Sequence, residues 1–334
     1  MRDRTIEGSP LVSILMPAKN VEAYIAECLE SVLEQSYDNW ELIVVNDNSD
    51  DLTKLILQEY ALNDSRIAVI DNEGSGIIDA LQLAFQNCEG DYITRMDSDD
   101  KMAPQKIEKL VNALLKNSAG HVATGYVKYF SENELGNGYK KYESWLNKLT
   151  ESENNYSEIY KECVIASPCW MTYRDDFIKV GGFDGPYPED YDLCFRFRNN
   201  NLKVICLKEV LHYWRDYDNR TSRTDSNYAD NSFMDLKVHH FIKQDLDSKK
   251  ELVLWGAGKK GKTIAQKLID SNIDFMWVCD NVNKIGHNIY GKTLLEFNDS
   301  LLSSESQVIV AVAQKGAQEA IALKLLDCES YYFC

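Results

Sequence analysis

Three carboxylates stand within four residues in the run RMDSDD: Asp97, Asp99 and Asp100. Carboxylates two apart, just after a strand, can face one site. They suit a hard divalent cation, Mg2+ or Mn2+, held together with phosphate oxygens. The plainer alternative is a turn or a helix cap, where aspartate is common. A second acidic run, VVNDNSDD, offers Asp47 to a base or ribose edge, or again as an acidic turn. A third, GGFDGPYPEDYDLCFRF, places Glu189 and Asp190 at the start of a helix. A carboxylate there is stabilised as an anion, which suits a general base. Near the C-terminus, GAGKKG sets Gly256, Gly258 and Gly261 between a strand and a helix, and Asp280 ends the next strand. That spacing fits a turn that seats phosphate on a helix N-terminus and a ribose on the aspartate.

These residues need a scaffold, and the apolar pattern supplies one. Leu11–Pro17, Trp40–Asp47, Arg66–Asp71 and Gly90–Asp97 read as strands. Between them, Val21–Gln35, Leu52–Leu62 and Gly76–Cys88 read as helices. Alternation of this kind means a parallel sheet with helices on both faces. Ligands of such sheets bind at the carboxyl ends of the strands, where the Asp and Asn runs collect. The middle is less regular: residues 131–158 read as a loop with short helices, followed by a helix near 191–198 and a strand near 203–207. From Glu251 a strand–turn–helix unit begins again. No repeat and no low-complexity tract interrupts the chain.

At about 100–200 residues per domain, 334 residues suggest two domains. The expected division is 1–245, with a nucleotide half at about 10–100 and an acceptor half at about 101–245, and then 251–334. Charge supports it. The whole chain carries a net −17, whereas residues 249–334 hold 10 basic and 10 acidic side chains. So acidic a chain is a poor binder of nucleic acid or anionic lipid. Nine cysteines without a CxxC pair read as reduced thiols rather than a zinc cluster. With neither a signal-like N-terminus nor an apolar run near the bilayer length of about 20 residues, the chain reads as cytoplasmic.

The acidic runs and their order resemble the family 2 glycosyltransferases of GT-A fold. The resemblance is carried by SILMPAKNVEAYIAECLESVLEQSYDNWELIVVNDNSDD, NEGSGIIDALQLAFQNCEGDYITRMDSDD and VGGFDGPYPEDYDLCFRF, and covers most of residues 10–225. It implies an α/β fold with a mostly parallel sheet, and an inverting transfer from a nucleotide sugar, typically a UDP-sugar, to a hydroxyl. Pro17, Lys19 and Asn20 would close the first strand against the nucleotide, and Asp47 would bond the base. Asp79 and Arg95 would lie close to the donor. Asp97 and Asp99 would be the DxD pair, with Asp99 on Mn2+ or Mg2+ and Asp97 near ribose and metal. Asp190 would be the catalytic base, with Glu189 beside it. The setting implied is surface polysaccharide synthesis, with a glycan or lipid-linked acceptor and, in the latter case, peripheral approach to the inner face of the membrane.

Two departures stand out. Asn48 replaces the glycine of the family's DDGS, and asparagine tolerates left-handed geometry. The YRxH pattern is incomplete: Trp214 and Arg215 could occupy its first two positions, Asp216 or Tyr217 replaces the histidine, and nearby His212 is either its substitute or simply a strand-end residue. Arg215, Arg220 and Arg223 are candidates for the diphosphate, or for a solvated face paired with acids. Trp170 is a candidate to stack on an acceptor sugar, or a core ring. The C-terminal part resembles the small Rossmann-like domain that precedes some sugar acyltransferases. Nucleotide binding, a purely structural role and a working NAD site all stay open there. The rival function is therefore an NAD(P)-dependent oxidoreductase or a nucleotide-binding regulator, though the sequence offers no His or Tyr–Lys pair for hydride transfer.

Overall fold

The computed structural model describes residues 9–132, 135–218, 220, 223, 233–298, 301–303, 305–326 and 328–334. The chain divides into two compact units, Met1–Ser157 with Cys163–Arg223, and Glu158–Glu162 with Thr224–Cys334.

In the first unit, β1 (Val12–Ala18), β2 (Trp40–Asn46), β3 (Ile67–Asp71) and β4 (Tyr92–Arg95) alternate with α1 (Ile25–Leu33), α2 (Thr53–Asn63) and α3 (Ile77–Gln86). The strands pair in parallel in the order β3, β2, β1, β4. The periodicity of α1 explains its place. Ile25, Cys28, Leu29 and Val32 share one face and are fully buried in a core with Val12, Ile14 and Met16. Burying each such side chain is worth about 1.5–3 kcal/mol. Parallel strands all finish on one edge, so the Asp and Asn runs that follow β1, β2, β3 and β4 meet there.

Beyond β4 the sheet changes sense. The chain runs through β5 (Lys101–Met102), α4 (Lys106–Leu115), β6 (His121–Phe130), α5 (Asn137–Glu151), β7 (Trp170–Tyr173), α6 (Arg174–Lys179), α7 (Glu189–Asn199) and β8 (Lys203–Arg215). β7 is antiparallel to β4 and β6, β8 is parallel to β6, and β5 pairs antiparallel with β8. Among the described residues the order is β3-β2-β1-β4-β7-β6-β8-β5. Two elements are longer than the sequence pattern suggested. α5 is one 15-residue helix rather than a loop with short helices, because Tyr139, Tyr142, Trp145, Leu146 and Leu149 give it an apolar stripe against the core. β8 runs 13 residues to Arg215, past the expected end at Leu207, and so carries His212 and Arg215 to the acidic edge.

The second unit holds a sheet of order β11-β12-β10-β9-β13-β14. Its parallel strands β9 (Glu251–Trp255), β10 (Met276–Val278), β12 (Lys292–Leu295), β13 (Ser306–Val310) and β14 (Glu329–Tyr332) are joined by β11 (Asn288–Ile289), antiparallel to β12. Its helices are α8 (Met234–His240), α9 (Lys259–Asp270) and α10 (Lys315–Lys324). α8 falls within the span expected for the first domain, yet it clusters with this unit, where Lys267 of α9 pairs with Asp235. All nine cysteines are free. No helix among the described residues is long and apolar enough to cross a membrane.

Candidate active site

Three strand ends are knotted at Asp47. Its buried carboxylate accepts from Asn72 Nδ2 at 2.8 Å, from the Gly76 amide at 3.0 Å and from Lys19 Nζ at 3.2 Å. Burial works against the ionised form, but these bonds hold the Asp47 carboxyl below the usual range. Asn20 and Asn48 both take left-handed backbone, so Asn48 does stand in the conformation a glycine would occupy. Asn20 Oδ1 accepts from the Asp50 amide at 3.0 Å, and its own amide donates to Ser49 Oγ at 3.1 Å. Pro17 pairs in register with Val45. Asp79, in the first turn of α3, accepts from the Ser75 amide at 3.1 Å. The edge is therefore a set of polar turns locked to one another.

The acidic loop follows β4. The Asp100 amide donates to the Asp97 carbonyl at 3.2 Å, closing a turn. Asp97 and Asp99 are half-buried and Asp100 is buried. Asp97 Oδ1 accepts from Arg95 Nε at 2.7 Å and Oδ2 from Ser167 Oγ at 3.4 Å, while Asp99 Oδ2 accepts from Tyr217 at 3.0 Å. Desolvation, and next the Asp100 charge, push the Asp99 carboxyl up to about 7. Arg95 and the Arg220 charge offset part of this crowding, and a divalent cation would offset more of it. Among the described residues no three His, Cys, Asp or Glu side chains form a ready-made cage. One or two carboxylates completed by phosphate oxygens are a usual set for Mg2+, and Asp97 with Asp99 fits it.

Arg95 connects this loop to α7. Its Nη1 donates to Glu189 Oε1 at 2.7 Å, and both side chains are buried. Glu189 is thereby committed to an ion pair. Asp190, its neighbour in the first turn of α7, is half-buried and accepts from the Tyr191 amide at 2.8 Å. Desolvation and the adjacent Glu189 push the Asp190 carboxyl up to about 7. A half-buried carboxyl poised near neutrality is suited to take a proton.

The arginines divide by role. Arg215 is not free for a diphosphate: its Nε donates to the Asp99 carbonyl at 2.7 Å, its Nη2 pairs with Glu27, and its guanidinium lies over Tyr24 and Phe130. It braces the acidic loop. Arg223 is taken by Asp216, at 2.7 Å and 3.0 Å. Arg220 lies 5.1 Å from the Trp214 ring centroid, and its charge acts on Asp97, Asp99 and Asp100. Trp170 is buried, stacked on Phe177 and edge-on to Phe197, so it presents no face to a sugar.

The model of glycosyl transferase family 2 matches residues 13–181, just over half of the chain. The chain belongs to glycosyltransferase family 2. It is 34% identical over 229 residues to an uncharacterized glycosyltransferase of Haemophilus influenzae, covering 65% of this chain and 69% of that one. It is 29% identical to the UDP-Glc:alpha-D-GlcNAc-diphosphoundecaprenol beta-1,3-glucosyltransferase of Escherichia coli, covering 68% of this chain and 83% of that one. The fold is that of S. aureus TarS in complex with UDP-GlcNAc, with a TM-score of 0.53 at 18% identity over 77% of this chain and 71% of that one. It is also that of the mannosyltransferase from Pyrobaculum calidifontis in complex with GDP-Man and Mn2+, with a TM-score of 0.51 at 18% identity over 72% and 66%.

Within this family 2 glycosyltransferase the matched range holds Asp47, Asp79, Arg95, Asp97 and Asp99, while Glu189, Asp190 and Arg215 lie beyond it. Asn72, Gly76 and Ser167 also meet the site without having been expected there, and Tyr217, one of the two residues in place of the YRxH histidine, reaches Asp99. Asn72 had a signal, since it follows β3 at the same edge. Ser167 had none, because the long excursion through α4, β6 and α5 separates it from its partner. In the second unit, the glycine turn is explained by packing at two of its three positions. Gly256 has φ +120°, and a Cβ on Gly261 would stand 2.0 Å from the Gly256 carbonyl oxygen. Asp280 Oδ2 accepts from Trp255 Nε1 at 2.7 Å.

Proposed function

We propose that the first unit transfers a glycosyl group from a nucleoside-diphosphate sugar, a UDP-sugar, to a hydroxyl of a glycan or lipid-linked acceptor in surface polysaccharide synthesis, with inversion at the anomeric carbon. The observation that carries this reading is the buried Arg95 bridge, which holds the Asp97–Asp99 loop and the Asp190-bearing helix in one constellation. The Escherichia coli relative supports the UDP donor and the lipid-linked acceptor by its name, and the Pyrobaculum structure supports Mn2+.

Asp47, Lys19 and Asn20 form the wall for the nucleoside. Asp97 and Asp99 would hold Mn2+ or Mg2+, which when bound neutralises the diphosphate leaving group. Asp190 takes the proton from the acceptor hydroxyl as that oxygen bonds to the anomeric carbon. The bond from the anomeric carbon to the diphosphate oxygen breaks on the opposite face, and the nucleoside diphosphate departs. Glu189 stays paired with Arg95 and orients the first turn of α7. A lipid-linked acceptor would bring the protein to a membrane surface peripherally.

The test is thermal unfolding with UDP, GDP, dTDP, CMP and NAD, each with and without Mn2+, because a ligand of the native state raises its stability by mass action. A Mn2+-dependent shift with UDP is expected. A metal-independent shift with NAD alone would instead favour the oxidoreductase reading of the second unit.

A further inference from the structure

Behind the acidic loop lies a buried polar chain that takes no part in the steps above. Lys106, His212 and Asp100 are each fully buried. Lys106 opens α4, His212 sits near the end of β8, and Asp100 ends the loop after β4, so three separate elements converge. Lys106 Nζ donates to the Pro168 carbonyl and lies 3.2 Å from His212 Nδ1. His212 Nε2 lies 2.9 Å from Asp100 Oδ2, and the Arg215 amide donates to Asp100 Oδ1 at 2.7 Å.

The direction of the chain follows from what each group can do. With Lys106 as an ammonium, which has three donors and no acceptor, His212 Nδ1 accepts and His212 Nε2 carries the hydrogen. The imidazole is then neutral and donates to Asp100. Burial and the Lys106 charge keep it in that form. Asp100 thus accepts at both oxygens, and its amide closes the turn onto Asp97. The Pro168 carbonyl that Lys106 holds adjoins Ser167, which donates to Asp97 Oδ2. Every tie ends on the loop that presents Asp97 and Asp99.

We propose that Lys106 and His212 are positioning residues for the metal-binding loop: the Lys106–His212–Asp100 chain pins the turn so that Asp97 and Asp99 present their carboxylates to one cation. Groups that orient a metal's ligands without touching the metal commonly change its affinity about 10- to 100-fold when removed. This inference rests on the reading that Asp97 and Asp99 hold a divalent cation.

The experiment is Mn2+ binding to the full chain in the presence of UDP, followed by the loss of the free-ion electron paramagnetic resonance signal. It compares Lys106→Met, His212→Leu and His212→Gln with the native protein, each checked for a cooperative melt. Lys106→Met and His212→Leu are expected to weaken Mn2+ by about tenfold or more, with the acceptor KM unchanged. Glutamine can accept from Lys106 and donate to Asp100, so His212→Gln should return to within about threefold of native. If His212→Leu does not fold, Lys106→Met and His212→Gln decide the matter. Folded Lys106→Met or His212→Leu protein that binds Mn2+ within about twofold of native overturns the proposal and leaves the chain a structural tie, as does a His212→Gln loss as large as that of Lys106→Met. Native protein that binds no Mn2+ and keeps its activity in EDTA removes the metal reading itself, and the proposal with it.

Discussion

Arg95 and Glu189 meet at 2.7 Å with both side chains buried, although 94 residues of sequence separate them. The same guanidinium holds Asp97, so one cation serves two carboxylates on different elements. Removing it would leave two negative charges in surroundings that cannot solvate them, at a cost of about 3–5 kcal/mol. Arg95→Met should therefore lower the unfolding free energy obtained from urea titration by an amount of that order, seen as a lower midpoint at unchanged slope. Glu189→Gln removes the neighbouring charge while a neutral partner remains for Arg95, and should cost less. Urea titrations with equal midpoints for the two variants would contradict the shared-cation account.

The proposed base, Asp190, predicts a pH dependence. Its carboxyl is raised to about 7 by desolvation and by Glu189, so it is increasingly protonated, and useless as a base, as pH falls below that value. The rate of transfer should fall on the acid side of a limb near neutrality. A raised carboxyl pKa also means that ionising Asp190 costs folding stability above the unfolded-state value, so Asp190→Asn should be no less stable at pH 8. Its kcat should drop by about 100-fold or more while UDP still raises its melting temperature. Transfer at near-native rate by Asp190→Asn would remove Asp190 from the role of base.

Asp47 makes the opposite case. Its carboxyl is held below the usual range despite burial, so it contributes stability above the unfolded pKa that is lost as pH falls through the lower, folded value. Asp47→Ala breaks the knot to Asn72, Gly76 and Lys19, and should lower the melting temperature by several degrees. Under the proposed role of that knot as the nucleoside wall, the stabilisation by UDP with Mn2+ should also be lost. A full UDP shift in the folded variant would move the base-binding role elsewhere.

The sequence was informative where chemistry and local pattern coincide. The strands that lead into Asp97 and Asp47 are short apolar runs bounded by polar turns, and acidic residues at the helix start mark α7, so these candidates lay on a recognisable edge. It was uninformative where a side chain's task is set by a distant partner. Arg215 looked like a diphosphate ligand because arginine often is one; nothing local reveals that the Asp99 carbonyl and Glu27 already occupy it. Nothing in the sequence marks Lys106, and only the convergence of α4, β8 and the acidic loop buries it. Trp170 follows the same logic, since α6 and α7 enclose its ring.

The glycine turn of the second unit can be assigned by two neighbouring substitutions with opposite expectations. A Cβ at Gly261 would stand 2.0 Å from a backbone oxygen of Gly256, and backbone cannot step aside as a flexible side chain does. Gly261→Ala should destabilise this unit by about 1–3 kcal/mol. Gly258 has ordinary extended backbone, and a Cβ there meets nothing within 4 Å, so the fold does not require glycine at that position. Gly258→Ala should stay within about 0.5 kcal/mol of native stability. The same variant then reads out ligand binding, because a methyl group there would hinder the close approach of a pyrophosphate to the start of α9. Thermal shifts by UDP with Mn2+ that survive Gly258→Ala and vanish in Asp99→Ala belong to the first unit. A nucleotide shift with the reverse pattern would assign a second nucleotide site to the glycine turn.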